Sequence, residues 1–312
     1  MKLLRFNHIK NEAVSFPRTG LLLADDTIAD LRVGYAKYLR EKMKDSQGRE
    51  IAELRIASDI VSMIAIGKPA REAMEASAAY LSELLKSQPA AKGPAGEPLF
   101  LSLAECKIHI PVRPTKVITF AKQAGLKSDM TSPSLSIKSN NTLNSPYRDI
   151  VMPAMAKQLQ CETKLAVIIG TSCKNIPEDR AYDVVFGYMI ANDVSIRDEV
   201  NPSNMFDTFL PTGPWVVSKD EIKDPMNLRI RAWVNDKPGR DNRIKDMLWS
   251  IPQLIAYVSK MMKLETGDLI LTGTPKNQAD SASLLLKLGD TLDTEIGGIG
   301  KLHNRVGDDP SK

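Results

Sequence analysis

The chain has 312 residues, of which 43% are hydrophobic and 26% are charged, a balance that is typical of globular proteins. Lys and Arg outnumber Asp and Glu by only 42 to 38. Because no stripe of basic and aromatic residues accompanies this small excess, we expect no nucleic-acid partner. The apolar runs are of strand length and fall far short of the roughly 18 residues of a membrane span, so we also expect no membrane partner.

Three cysteines lie far apart at Cys106, Cys161 and Cys173. They form no C-x-x-C pair, which argues against a disulfide framework or a zinc site. Residues 1–6 are too short and too soon interrupted to act as a signal peptide. Together these features predict a cytoplasmic protein.

Residues 1–98 are predicted to form a small α+β domain. Residues 2–6 and 20–31 are typical of short strands, and Asp25 and Asp26 supply the turn of a hairpin in the second segment. Between residues 32 and 85, apolar side chains recur at three- and four-residue steps, which predicts helices. Residues 86–98 contain three prolines and two glycines, so they indicate a linker, and we place the domain boundary at their end.

Residues 99–312 have mostly β character. Two helices are predicted, at residues 177–184 and at residues 251–262, where Ser250 is a suitable N-cap. The order of elements lacks the regular strand–helix alternation of a doubly wound sheet. We therefore predict an α+β protein whose second domain is a mixed, β-rich roll. Its strands are predicted at residues 107–111, 117–119, 165–170, 184–192, 215–218, 227–234, 268–272 and 291–296.

Several segments of the second domain resemble, in order and spacing, motifs of the fumarylacetoacetate hydrolase superfamily. The resemblance spans about 190 residues, and the shared order and spacing of these motifs are more specific than any single motif. The segments are ETKLAVIIG at 162–170, GY with NDVSIRD within 187–198, FDTFLPTGP at 206–214, GDLILTGTP at 267–275 and IGKLHNRV at 299–306.

This resemblance implies a fumarylacetoacetate hydrolase-like catalytic roll over residues 99–312. It implies an enzyme that acts on a small anionic keto or enol carboxylate, by C–C hydrolysis, isomerisation, cyclisation or decarboxylation. It also implies Mg²⁺ or Mn²⁺ as the family's usual cofactor, and a homodimer, or a dimer of dimers, as the assembly.

The metal-binding positions of the family are only partly kept. The family pattern supplies two glutamates, two positions apart on a strand, and the Asp of the N-D motif. Here the first glutamate is Glu162 and the Asp is Asp193, but Lys164 replaces the second glutamate. A charged ammonium cannot ligate Mg²⁺, so we predict that Lys164 lies between Glu162 and Asp193 and that no divalent ion binds tightly. Glu162 and Asp193 are metal ligands only if a metal binds at all.

The acid–base positions are also changed. The family's histidine base corresponds to Lys127, which would need a strongly lowered pKa to act as a base. We therefore take Lys127, Lys164, Glu162 and Asp193 as the candidate catalytic residues. The candidate substrate-binding residues offer cations, hydroxyl groups or close backbone approach; they are Lys138, Arg197, Asp198, Thr272, Gly273 and Thr274.

Three interpretations stay open from the sequence. The first is a divergent enzyme that works without a metal, so that no cofactor is needed. The second is a conventional metal-dependent C–C hydrolase whose ligand set is completed by other groups. The third is a catalytically silent binding protein that keeps the fold.

Overall fold

The structure is a computed structural model that describes residues 1–10, 16–24, 26–120, 132–197, 203–274 and 284–308. The chain divides into two compact units, Met1–Val112 and Arg113–Lys312. This division lies beyond the boundary predicted at residue 98, because residues 100–102 and 106–109 pair with strands near the start of the chain. Within the described ranges, no helix is long and apolar enough to cross a membrane.

The described residues of the first unit combine an antiparallel sheet with four α-helices. The sheet has the order β4-β3-β2-β1, with β5 also paired to β1. The predicted hairpin is confirmed as β2 and β3, and Asp30 at its end caps α1 by accepting from the Val33 amide. The elements are β1 (Lys2–His8), β2 (Arg18–Leu22), β3 (Thr27–Asp30), α1 (Leu31–Glu41), α2 (Gly48–Arg55), α3 (Ile60–Ile66), α4 (Lys68–Ser87), β4 (Phe100–Ser102) and β5 (Cys106–His109).

The described residues of the second unit form two sheets and one α-helix, which confirms the predicted mixed, β-rich architecture. Its elements are β6 (Val117–Phe120), β7 (Leu135–Lys138), β8 (Leu143–Asn144), β9 (Ile150–Val151), β10 (Leu159–Ile169), β11 (Val185–Ile196), β12 (Leu210–Ser218), β13 (Arg229–Val234), β14 (Lys237–Arg243), α5 (Ile251–Met261), β15 (Leu269–Leu271), β16 (Leu285–Leu286), β17 (Thr291–Ile296) and β18 (Gly300–Gly307). The larger sheet runs β12-β11-β10-β15-β6-β7, with β8 on β12 and β16 on β10. The smaller sheet runs β14-β13-β17-β18-β9.

The core of the second unit contains apolar side chains from both sheets. Cys161 of β10 and Val194 of β11 pack there with Ala232 of β13 and Leu292 of β17. Successive side chains of a strand point to opposite faces of the sheet. Because Cys161 faces this core, its neighbour Glu162 lies on the other face of β10.

Two predicted helices have different outcomes. The helix predicted at residues 251–262 is confirmed as α5, and the Ser250 hydroxyl accepts from the Gln253 amide as its N-cap. The helix predicted at residues 177–184 is present as a 3-10 helix over Glu178–Val184. Val184 ends that tight helix just before β11 begins, so the segment is a short connection rather than a packed α-helix.

Candidate active site

Four charged side chains converge on one face of the larger sheet, and we call Glu162, Lys164, Asp193 and Lys138 the charged cluster. Glu162 of β10 is paired directly with Asp193 of β11. Lys164 lies two residues along β10 and therefore on the same face. Its cross-strand partner is the small Ala191. Lys138 ends β7 and reaches the same carboxylate of Asp193.

The Lys164 ammonium lies between the two carboxylates, as predicted. Its Nζ is 2.8 Å from Asp193 Oδ2 and 3.3 Å from Glu162 Oε2. It also donates to Thr119 Oγ1 at 2.8 Å and to the Phe120 carbonyl at 2.7 Å. The side chain is only 1% exposed. An ammonium has three N–H donors. The oxygen atoms of the protein around Lys164 Nζ are therefore enough to accept all three.

Asp193 is held by cations on both of its oxygens. Lys138 Nζ is 2.9 Å from Oδ1, while Lys164 and the Thr119 hydroxyl approach Oδ2. Lys138 also donates to the carbonyls of Val194 and Ser203, and its side chain is fully buried. The structure thus places Lys138 inside the cluster; its role in binding a substrate anion stays a prediction.

Glu162 is the most exposed member of the charged cluster. Its side chain is 22% exposed, against 12% for Asp193 and 1% or less for the lysines. The Thr274 hydroxyl donates to Glu162 Oε2 at 2.7 Å, and Lys164 approaches that same oxygen. Among the described residues no hydrogen bond reaches Glu162 Oε1. Glu162 Oε1 therefore accepts no hydrogen bond from the described part of the protein.

The charges of the cluster stabilise one another. Burial disfavours ionised Lys164, but Asp193 and Glu162 outweigh burial and raise the pKa of Lys164 above its ordinary 10.5. Burial likewise opposes ionised Asp193, but Lys164 and Lys138 outweigh it and hold the pKa of Asp193 well below its ordinary 3.8. Both side chains are consequently charged at neutral pH.

The donor set does not suit a divalent cation. Positions 162, 164 and 193 supply two carboxylates and one ammonium, and the structure adds Lys138 as a second ammonium. The formal charge of the cluster is therefore zero rather than minus one, and no negative charge remains for a dication to neutralise. The described part of the chain also contains no group of three His, Cys, Asp or Glu side chains arranged to hold a metal.

The other predicted site residues lie at different places. Thr272 is buried and bridges β15 and β10, since its hydroxyl accepts from the Leu165 amide. Thr274 contacts the cluster directly, two residues farther along, with Gly273 between them. Arg197, just past the end of β11, is exposed and donates to Gln158 Oε1. Lys127 and Asp198 lie outside the described residues.

Thr119 is a cluster contact that the sequence prediction missed. It donates to Asp193 Oδ2 at 2.6 Å and accepts from Lys164, so it joins the two charged groups. Its strand reads Val-Ile-Thr-Phe, and a lone hydroxyl in a buried strand indicates a polar partner nearby. The partner itself was not predictable, because it depends on the parallel pairing of β6 with β15.

No histidine of the described residues belongs to the charged cluster. His8 and His109 end strands β1 and β5 of the first unit. His303 lies on β18, where Nδ1 is 2.8 Å from Asp293 Oδ1. The described residues around the cluster thus offer carboxylates, ammonium groups and hydroxyl groups for chemistry.

A cavity of about 350 Å³ lies in the first unit. Its charged lining includes Arg18 and Asp30, whose side chains form an ion pair at 2.6 Å. None of the predicted site residues lines it. The chemistry of the cluster, rather than the size of this cavity, indicates the candidate active site.

Comparison with known proteins identifies the family of this chain. The family model described as fumarylacetoacetate (FAA) hydrolase C-terminal matches residues 114–307. Oxaloacetate tautomerase YisK of Bacillus subtilis is 37% identical over 226 residues, covering 66% of this chain and 75% of that protein. The maleylpyruvate hydrolase structure from Sphingobium sp. SYK-6, in complex with manganese(II) and pyruvate, has a TM-score of 0.73 at 25% identity and 99% coverage of each chain. The chain belongs to the fumarylacetoacetate hydrolase family.

Proposed function

We propose that this protein is an enzyme that interconverts the keto and enol forms of a short 2-keto carboxylate, with Glu162 as the general base. The observation that carries the proposal is the asymmetry of the cluster. Glu162 is its most exposed charged group and keeps one oxygen without a hydrogen bond from the described residues, whereas both lysines are buried and used by the protein. A base needs such an accessible oxygen to approach the proton that it removes.

The charge balance of the cluster favours this proton transfer. Before reaction its two carboxylates and two ammonium groups cancel. When Glu162 takes a proton from the carbon next to the carbonyl, the cluster gains a net charge of plus one. The C–H electron pair forms the carbon–carbon double bond of the enolate, whose oxygen becomes negative. The positive cluster then faces the new negative charge, which lowers the barrier.

Isomerisation also asks less of this site than C–C hydrolysis does. Hydrolysis needs an activated water in addition to stabilised negative charge, and the described cluster holds no histidine to activate one. Isomerisation moves one proton between carbon and oxygen, and one positioned carboxylate is enough, because Glu162 can give the proton that it took from carbon to the enolate oxygen. The name of the relative from B. subtilis, an oxaloacetate tautomerase, supports the same reaction class.

Hydrogen exchange tests this proposal directly. Pyruvate is incubated with the enzyme in deuterium oxide, and proton NMR follows loss of its methyl signal; oxaloacetate is followed in parallel by the ultraviolet absorbance of its enol. We expect Glu162→Gln to slow both reactions by about 10²–10⁴-fold, the usual contribution of a general base. Glu295→Gln is the matched control, because Glu295 is 20% exposed but lies in the ion pair with Arg231. It should leave both rates unchanged.

The two rival functions give different results in the same experiment. A C–C hydrolase would cleave a suitable dicarbonyl acid into two acids, which NMR would detect as new products. A silent binding protein would bind the keto acid saturably without exchange. Exchange that is equally fast in the Glu162→Gln protein would contradict the role proposed for Glu162.

We also propose that the chain forms a homodimer, as the family resemblance implies. Two exposed apolar side chains lie on neighbouring segments, since Ile137 is 48% and Met205 65% exposed and Asn204 donates to Ser136. Such a patch suits a contact with a second copy. Light scattering should then give twice the 34.4 kDa of one chain; a monomer at micromolar concentration would contradict this.

A further inference from the structure

The Lys164 ammonium occupies a small cage of oxygen atoms. Four oxygens from four residues surround Nζ at 2.7–3.3 Å: Thr119 Oγ1, the Phe120 carbonyl, Asp193 Oδ2 and Glu162 Oε2. The side chain is 1% exposed. Carboxylate, carbonyl and hydroxyl oxygens are also the ligands that hard cations prefer. The cage therefore has the chemistry of a cation site, and the cation is attached to the chain.

We infer that the Lys164 ammonium is a built-in cation that takes the place of a bound one, so that the single substitution Lys164→Glu creates a divalent-cation site. The native cluster is neutral and offers nothing for a dication to compensate. Lys164→Glu exchanges one positive charge for one negative charge. Three carboxylates and the Lys138 ammonium then sum to minus two, which one Mn²⁺ or Mg²⁺ ion neutralises.

Lys138 should hold the carboxylate of Asp193 in the same orientation in the Lys164→Glu protein. It binds Asp193 Oδ1 at 2.9 Å and is fixed by the carbonyls of Val194 and Ser203. The opposite oxygen, Oδ2, keeps pointing toward the cage, where Thr119 still donates to it. The glutamate introduced at position 164 would add a third carboxylate beside Glu162 and Asp193, since positions 162 and 164 share one strand face.

Two variants test the inference with readouts other than catalysis. Lys164→Glu is titrated with Mn²⁺ by calorimetry and by loss of the free-ion electron paramagnetic resonance signal. We expect saturable binding of one ion, abolished when Glu162→Gln is added. At about 100 times the dissociation constant, the midpoint of thermal unfolding should rise by roughly 5–11 °C. The unmodified protein should show neither saturable binding nor this rise.

Lys164→Ala tests the cage without adding a carboxylate. Truncation should lower the midpoint of thermal unfolding by roughly 6–20 °C, because it leaves buried carboxylate uncompensated. Ammonium chloride should restore about 2 °C or more, since NH₄⁺ can donate to the same oxygens. Tetramethylammonium chloride at equal ionic strength has no N–H donor and should restore nothing. The Lys260→Ala protein, which changes a lysine of α5, controls for general salt effects.

Three results would overturn the inference. One is saturable Mn²⁺ binding by the unmodified protein that is lost with Glu162→Gln. Another is a folded Lys164→Glu protein that binds no Mn²⁺, and the third is a Lys164→Ala protein that responds equally to both ammonium salts. If Lys164→Glu does not fold without metal, the unmodified protein and Lys164→Ala still decide the matter. Because none of these readouts uses a substrate, failure of the proposed isomerase activity would be distinguished from failure of this inference.

Discussion

Removing the charge of Asp193 should destabilise the second unit strongly. Asp193→Asn keeps the shape of the side chain but leaves the ammonium groups of Lys164 and Lys138, 2.8 and 2.9 Å away, without their shared counter-charge. Removing one partner of a buried ion pair costs roughly 3–5 kcal/mol. Because both buried cations lose this counter-charge and only Lys164 keeps another carboxylate, that of Glu162, we expect about 4–5 kcal/mol, the upper part of that range.

The matched control is the same substitution in an exposed ion pair. Asp183 Oδ2 is 3.0 Å from Arg180 Nε, and the two side chains are 60% and 68% exposed. Exposed pairs contribute only about 0–1 kcal/mol. Asp183→Asn should therefore change the free energy of unfolding by a small fraction of the loss expected for Asp193→Asn.

Urea denaturation followed by tryptophan fluorescence measures both variants. The three tryptophans, Trp215, Trp233 and Trp249, all lie in the second unit, so their signal reports the unit that contains the cluster. The slope of free energy against urea should stay constant while the midpoint falls. If Asp193→Asn and Asp183→Asn differ by less than about 1 kcal/mol, the cluster is not the tightly coupled ion network described above.

Three further outcomes are expected. The stability contributed by Asp193 should be fully present above its ordinary pKa of 3.8 and lost as the pH falls below it. The stability contributed by Lys164 should be fully present below its ordinary pKa of 10.5 and lost as the pH rises above it. In urea titrations, the difference in free energy of unfolding between the native protein and Asp193→Asn should therefore be constant from about pH 5 to 9. Thr274→Val removes the hydrogen bond to Glu162 and should slow deuterium exchange about tenfold; an unchanged rate would show that this contact does not orient the base. Arg240→Met should raise the free energy of unfolding by about 1–3 kcal/mol. Burial lowers the pKa of Arg240, and its buried Nε and Nη1 have no hydrogen-bond partner among the described residues. A loss of stability in urea would contradict this.

Local patterns predicted those elements whose signals are contained within a few residues. The start of α5 followed from Ser250 and the apolar periodicity after it, and both are present in the structure. The strand β14 was missed, because Lys237–Arg243 contains Pro, Gly and five charged or amide side chains and has little intrinsic strand preference. Its pairing with β13 stabilises it, and such tertiary pairing is not visible in a local pattern.

The site was predictable along strands but not between them. The two-residue spacing of Glu162 and Lys164 placed both on one face of β10, and Asp193 followed from the family motif. The positions of Lys138 and Thr119 depend on how β7, β6 and β15 pair, which no spacing in the chain specifies. The zero charge of the cluster therefore became apparent only once Lys138 was placed next to Asp193.

The most direct test of the central claim is the rate of deuterium exchange into pyruvate by the unmodified protein, measured in excess EDTA and again with added Mn²⁺. The claim is that Glu162 moves the proton while the Lys164 and Lys138 ammonium groups supply the fixed positive charge. It predicts the same rate in EDTA and in Mn²⁺, and loss of that rate in Glu162→Gln. Exchange that is absent in EDTA and appears with Mn²⁺ would contradict it.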